Sequence, residues 1–257
     1  YYNQWHAHTY YTHLFRNSKK VELNGRYTHH AIYDETIKFI KDNKDEPFFL
    51  YCPWTPPHAA YQIPEDEPAW KIYKDKPWGK DAKVAAAMDT MMDRQVGEIT
   101  ALLKKLGIYE NTLMFFTSDN GAAKRFDGIH NSCGVMQGQK RSLNEGGIRV
   151  PMVVRWPGKI KAGTESSQPW YFPDVMPTLA EIAGVSKQVP KDIDGISVLP
   201  TLLGKGKQKQ HEYMYWQYGV RAARSGKWKG IGKGGHLYLY DLTKDMAEKN
   251  DLSAKHP

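Results

Sequence analysis

Two apolar runs constrain this chain more than any other feature: Phe48-Phe49-Leu50-Tyr51-Cys52 and Leu113-Met114-Phe115-Phe116-Thr117. Both are continuous rather than alternating, the pattern of a strand buried on both faces. Pro47 opens the first run, and Pro53, Pro56 and Pro57 stop it and force an extended loop. Between the runs lies the clearest helix, predicted over about 81–106. Val84, Met88, Met91, Met92, Ile99, Leu102, Leu103 and Leu106 recur there at steps of three and four, and Gly107 is a natural C-terminal stop. The methionine stripe is core packing.

The order strand, helix, strand predicts an α/β fold, with a mostly parallel central sheet flanked by helices. A further helix is expected at about 31–43, from Ile32, Ile37 and Ile40, and another from Asp174 to Ala183, closed by Gly184. A third apolar run, Ile148 to Val154, leads into the turn Trp156-Pro157-Gly158. Residues 1–30 and 64–80 read as loops. From about 211 the texture changes to short strand-like pieces separated by glycine turns: Tyr213 to Trp216, Val220 to Arg224, Trp228 to Ile231 and Leu237 to Leu242. They predict a small antiparallel subdomain at 211–257, packed on a domain at 1–210.

Charge and cysteine usage narrow the function. The net charge of +8 favours polyanionic partners. No nucleic-acid module is visible, neither paired Cys/His spacing nor a basic helix with heptads, and sulfated glycans are polyanions too. Lys205, Lys207 and Lys209 follow Gly204 and read as a solvated loop. Cys52 and Cys133 sit in no redox or zinc spacing, and no apolar run approaches the length of a membrane span.

Three segments carry candidate chemistry. Thr117-Ser118-Asp119-Asn120-Gly121 ends a strand, where ligand sites of open α/β sheets lie, and Asp119 and Asn120 offer oxygens to a hard cation. The same residues also make ordinary turn chemistry. Pro56-Pro57-His58 sets a histidine behind rigid prolines, as a proton donor, an anion ligand or a plain loop residue. In the stretch from Gly138 to Pro151, Lys140 sits on a glycine-flanked loop suited to a sulfate or phosphate oxygen. Gly146 and Gly147 there allow close backbone approach or positive φ, Glu145 and Arg149 could pair to fix the loop, and the stretch also reads as a structural loop feeding a strand.

Taken together and in this order, these segments resemble type I sulfatases of the alkaline phosphatase superfamily. The matching pieces are Pro47 to Tyr51 with Pro57-His58, Thr117 to Gly121, and Lys140 with Glu145-Gly146-Gly147-Ile148-Arg149-Val150-Pro151. They continue through Arg155-Trp156-Pro157-Gly158, Asp194-Gly195 with Leu199-Pro200, Arg224 with Trp228-Lys229, and Leu239-Tyr240-Asp241-Leu242. The resemblance implies a sulfuric ester hydrolase acting on a sulfated carbohydrate or aryl ester. Asp119 and Asn120 would be ligands of Ca²⁺, with Mg²⁺ the weaker fit. His58 and Lys140 would contact the sulfate group and steady the leaving alkoxide, so that all four residues gather around one pocket. His6, His8, Arg125 and His130 are further candidates for binding substrate. Secretion or a periplasmic location follows from the same resemblance.

The family nucleophile is a formylglycine made from a Cys/Ser-x-Pro-x-Arg motif, and this sequence holds no such motif. Cys52 is followed by Pro53-Trp54 and Cys133 by Gly134-Val135. The chain is therefore expected to be an N-terminally truncated member, its nucleophile lying outside it, and to be inactive alone. Smaller departures are Ala122 and Ala123 after the Asp-Asn-Gly, and Asn144 where an aromatic residue is common. Two other readings remain open: a phosphoester or phosphonate hydrolase of the same superfamily, and a non-catalytic domain that binds sulfated glycans.

Overall fold

The computed structural model describes residues 13–256, so His6 and His8 lie outside the described residues. The chain divides into two compact units at the 112/113 peptide.

The first unit opens with a hairpin of β1 (His13–Arg16) and β2 (Lys19–Glu22). Its turn places Asn17 at φ 53, a conformation that asparagine tolerates better than most residues. Three helices follow: α1 (Thr28–Asp42), α2 (Pro68–Tyr73) and α3 (Lys80–Lys105). The stripe on α3 is core, as expected: Ala87, Met88 and Met91 are fully buried. Tyr27, Ala69, Ala87 and Met91 form one cluster, with Ile63, Trp70 and Tyr73 packed around it. Gly107, at φ 73, ends α3, its N–H donating to Lys104 O while that of Ile108 donates to Leu103 O. Glu67 ties the helices together. It precedes Pro68, the first residue of α2, and its buried carboxylate meets Arg94 of α3 at 2.8 Å and His30 of α1 at 3.3 Å.

Residues 48–52 correct the sequence reading. They are extended but belong to no ladder among the described residues. Phe48 packs edge-on against Phe39 at 5.8 Å, and Cys52 Sγ lies 3.7 Å from Thr36 Oγ1, both on α1. Phe49 and Tyr51 point the other way and are about 70% exposed. Neither half of the expectation is met: no residue of the run is fully buried, and a strand needs a hydrogen-bonding neighbour that the run itself does not supply.

The second unit starts with β3 (Met114–Thr117), followed by the short helix α4 (Glu145–Ile148) and β4 (Met152–Arg155). β3 pairs with β4 antiparallel. All strand pairs among the described residues are antiparallel, so the expected parallel pairing is not found there. The crossover expected to set a parallel pair lay between the 48–52 run and β3, and only β3 is paired. The α/β class itself holds. Next come α5 (Val175–Ile182) and α6 (Leu199–Leu203), then the predicted antiparallel sheet in the order β5 (Met214–Tyr218), β6 (Val220–Ser225), β7 (Trp228–Lys233), β8 (His236–Asp241). Leu143, Ala222, Ile231, Tyr240 and Leu242 bury together, with Ile148 and Trp216 against them. One face of this sheet thus packs on the glycine-rich stretch read from the sequence.

Candidate functional site

The strand β3 delivers Ser118, Asp119 and Asn120 at its C-terminal end. Ser118 Oγ donates to Asn120 O at 3.0 Å, which shapes the turn. Asp119 is exposed, and its carboxylate makes no hydrogen bond or ion pair with another described residue. Asn120 is half-buried beside it.

Backbone hydrogen bonds stitch this turn to the loop that carries Lys140. Gly121 N–H donates to Gly147 O at 2.9 Å, and Lys140 N–H to Ala122 O at 2.8 Å. Gly146 N–H reaches back to Gln137 O at 2.7 Å. The segments are too close for side chains. A Cβ on Gly121 would overlap Gly146 O, one on Gly146 would meet the Gln137 and Gly138 carbonyls, and one on Gly147 would overlap Ser142 O. Lys140 and Arg141 form the centre of a turn closed by Ser142 N–H to Gln139 O at 2.8 Å. Arg141 sits at φ 73, where glycine is the usual occupant, so the turn accepts conformational strain to present two cations.

Cys133 packs underneath. Its Sγ is 3.6 Å from both Ala122 O and Gly146 O. Burial, with the Asp127 charge adding to it, pushes its thiol above the usual range. The thiol is therefore neutral and structural, not an activated nucleophile. The expected Glu145–Arg149 pair is present at 2.7 Å.

The other sequence candidates fall in different places. Arg125 belongs to a 3-10 turn, Lys124–Phe126, and is exposed beside the Phe126 ring. His130 is half-buried, with its ring centroid 5.5 Å from that of Phe126. This turn reaches the lysine loop through Lys124 N–H, which donates to the Gln139 side chain at 3.0 Å. His58 belongs to the first unit. Its Nδ1 lies 2.6 Å from Ala59 O, an oxygen that only accepts, so Nδ1 carries hydrogen and in the neutral ring Nε2 is the basic nitrogen. A proton-donor role for Nε2 therefore needs the doubly protonated ring. Sequence reasoning missed Glu248 and gave Lys229 no role, though both are buried against Glu145. Lys229 shares the inward phase of β7 with Ile231, a signal that was available.

The chain resembles known proteins over nearly its whole length. The family model described as Sulfatase matches residues 1–185, and that described as N-sulphoglucosamine sulphohydrolase, C-terminal, matches residues 137–256. A steryl-sulfatase of Rattus norvegicus is 35% identical over 191 residues, covering 70% of this chain and 31% of the relative. An N-acetylgalactosamine-6-O-sulfatase of Bacteroides thetaiotaomicron is 31% identical, covering 88% of this chain and 47% of the relative. Among solved structures, Ps i-CgsB in complex with k-i-k-neocarrahexaose superposes with a TM-score of 0.78 at 30% identity, over 93% of this chain and 53% of that one. The chain thus spans from about a third to half the length of these relatives.

Proposed function

The chain belongs to the sulfatase family, and on that premise we propose that it forms part of a sulfuric ester hydrolase acting on a sulfated carbohydrate. One observation carries the reading: the Asp119-Asn120 turn and the Lys140 turn are held on a single backbone framework by the Gly121–Gly147 and Lys140–Ala122 hydrogen bonds. That framework holds the backbones of the two turns together, which supports a site combining oxygen donors with a loop cation, as binding of a sulfate ester beside a metal ion requires.

The residues present fit a hard divalent cation. Asp119 is an exposed carboxylate with no partner among the described residues, and Asn120 adds a neutral oxygen. They are part of a cage, since Ca²⁺ takes about six to eight oxygens. Ca²⁺ is the ion proposed, and Mg²⁺ suits flexible carboxylate and amide donors less well. When bound it would draw off negative charge from a sulfate oxygen. Lys140 would pair with a second sulfate oxygen. For His58, which belongs to the first unit, the proposed role is that of a proton donor. The residues of this chain do not fit a formylglycine. Neither cysteine stands in the maturation motif, and Cys133 is sealed between two carbonyls, so no step is derived through that group.

The substrate class rests on the relatives, two of which are named for an amino-sugar sulfate or captured with a carrageenan oligosaccharide. The excess of positive charge suits a sulfated polymer. Action outside the cytoplasm belongs to the same proposal, and no helix among the described residues is long and apolar enough to cross a membrane.

The test is sulfate release from N-acetylgalactosamine-6-sulfate, a carrageenan oligosaccharide and 4-nitrophenyl sulfate by the full-length protein. Asp119→Ala and Lys140→Ala should each lower kcat/KM by about 10²-fold or more. A wild-type protein that cleaves no sulfate ester, or variants that match it, would sink the reading.

A further inference from the structure

Four charged side chains sit together beneath the glycine loop. Lys229 of β7 has no exposed surface, and Glu145 and Glu248 are 3% and 1% exposed. Lys229 Nζ lies 2.8 Å from Glu145 Oε1 and 2.8 Å from Glu248 Oε1. The first contact is a directed hydrogen bond, and the second is an ion contact off the hydrogen-bonding angle. Glu248 Oε2 accepts the backbone N–H of Glu145 at 2.7 Å, capping α4 where the Asn144 side chain makes no cap. Arg149 Nε holds the other Glu145 oxygen at 2.7 Å. Two carboxylates and two cations are in contact, and the Arg224 charge acts on Glu145 and Arg149 from beside them.

As a stability device, a buried ionic cluster is no better than apolar packing of the same volume. Its location suggests a different purpose. Glu145 begins the stretch whose third residue, Gly147, bonds Gly121, the residue after Asp119-Asn120. Glu248 stands at φ 52, a conformation that glycine adopts more easily, yet the position carries the carboxylate that caps α4. Burial raises the Glu145 carboxyl, but Lys229 and Arg149 outweigh it and hold the group below the ordinary carboxylate range, so it stays charged.

We propose that Lys229 and Glu248 are positioning residues for the proposed sulfate site. From the C-terminal sheet and the segment after it, they fix Glu145, and through the Gly147–Gly121 bond they set where Asp119, Asn120 and Lys140 stand. The function assigned to those three residues rests on the sulfatase reading; the mechanical link does not.

Two readouts on the full-length protein separate the two. The first is hydrogen exchange at the amides of Gly121 and Lys140, whose acceptors are Gly147 O and Ala122 O. Glu248→Gln keeps volume and can still cap Glu145, but it turns an amide group toward the Lys229 ammonium. Exchange at Gly121 and Lys140 should rise about tenfold or more, while amides inside α3 and α5 keep their protection. Unchanged exchange there overturns the proposal, whatever the activity. Lys229→Met should act more strongly, and if it does not fold, Glu248→Gln alone decides.

The second readout is kinetic. Glu248→Gln should lower kcat on a sulfate ester by about 10²-fold, with KM moving less. In a Lys140→Ala background it should cost several-fold less than in the wild type, because the share of its effect that runs through Lys140 is already absent while the share through Asp119 and Asn120 is kept. Losses that multiply in full overturn the proposal. A wild-type protein without sulfatase activity sinks the sulfatase reading, and the exchange result still judges the positioning.

Discussion

Gly121 donates its backbone N–H to the carbonyl oxygen of Gly147 at 2.9 Å, and neither residue has room for a side chain: a Cβ on Gly147 would strike the Ser142 and Gln139 carbonyls. The bond joins the turn after β3 to the loop before β4. A methyl group on Gly121 would overlap Gly146 O and crowd Gly147 Cα, both main-chain atoms that cannot rotate away.

Gly121→Ala should therefore part the two segments. The expected outcome is a loss of about 2 kcal/mol or more in unfolding free energy, measured by urea titration, together with lost sulfate-ester turnover. Gly97→Ala is the matched control. Gly97 is exposed in α3, and a methyl group there would meet nothing within 4 Å, so alanine should stabilise by about 0.5–1 kcal/mol. Equal effects at the two sites would contradict the close-contact argument.

Removing the cation tests the Asp119-Asn120 turn. In the full-length protein, excess Ca²⁺ at about 100 times its dissociation constant should raise stability by about 2.7 kcal/mol, and a chelator should abolish the gain. Asp119→Ala should remove that Ca²⁺ dependence, since it deletes the only charged oxygen donor of this turn. Differential scanning calorimetry at several Ca²⁺ concentrations reads the effect directly. A melting temperature that responds to Ca²⁺ equally in wild type and variant would exclude Asp119 as a ligand.

Much of this architecture was legible in the sequence, but unevenly. The α3 stripe was readable because Met88, Met91 and Leu103 repeat at helical spacing and are all buried. The β5–β8 sheet was readable because glycine turns punctuate it. The β1–β2 hairpin was not, since Lys19, Lys20 and Glu22 give it no apolar face. Helix α2 carried its own signal, Glu67 followed by Pro68, but it lay within a stretch rich in Pro and Lys. Hydropathy fixes neither burial nor pairing, so residues 48–52 read as a buried strand although Phe49 and Tyr51 are exposed and the run is in no sheet among the described residues. The cluster around Lys229 escaped for a similar reason: Glu145 and Glu248 are 103 positions apart, and no local pattern links them. For the candidate site, the positions of Asp119, Asn120 and Lys140, at a strand end and in a glycine-flanked turn, were legible; their chemistry is the proposal.

His29 makes unit-one stability depend on pH. It is buried beneath Trp54, and its Nε2 meets Gln95 Oε1 at 2.6 Å. Burial, only partly offset by Gln95, lowers its pKa from 6.5 to about 4. The unfolded chain therefore binds a proton that the folded chain refuses between these values, and stability falls as pH drops from 6.5 through about 4. The contribution is on the order of 3 kcal/mol at most. His29→Gln removes the titration, so its unfolding free energy should change less with pH across this window than that of wild type. Parallel pH profiles would show that His29 is not the group responsible.

Asp174 offers the sharpest test of how α5 is held. The residue is fully buried, yet the chain surrounds its carboxylate with donors. Oδ2 accepts Tyr171 N–H at 3.0 Å and faces His211 Nε2 at 2.9 Å, while Oδ1 accepts Ile196 N–H at 2.8 Å. Its backbone carbonyl takes the Thr178 hydroxyl, and Thr178 Oγ1 in turn accepts Val198 N–H at 2.9 Å. One carboxylate thus gathers the start of α5, the approach to α6 and the approach to β5. Asp174→Ala would strand three donors in a site that water does not reach, and each orphaned group carries its own desolvation cost. The expected loss is about 3–5 kcal/mol, of the size seen when one partner of a buried charged pair is removed. Asp174→Asn keeps one accepting oxygen but sets an amide N–H₂ against a donor, so it should fall between alanine and wild type. Asp192→Ala, an exposed change in the loop ahead of Ile196, should stay within about 0.5 kcal/mol. Urea unfolding of the three variants ranks them, and an Asp174→Ala protein as stable as Asp192→Ala would mean that the buried carboxylate holds nothing.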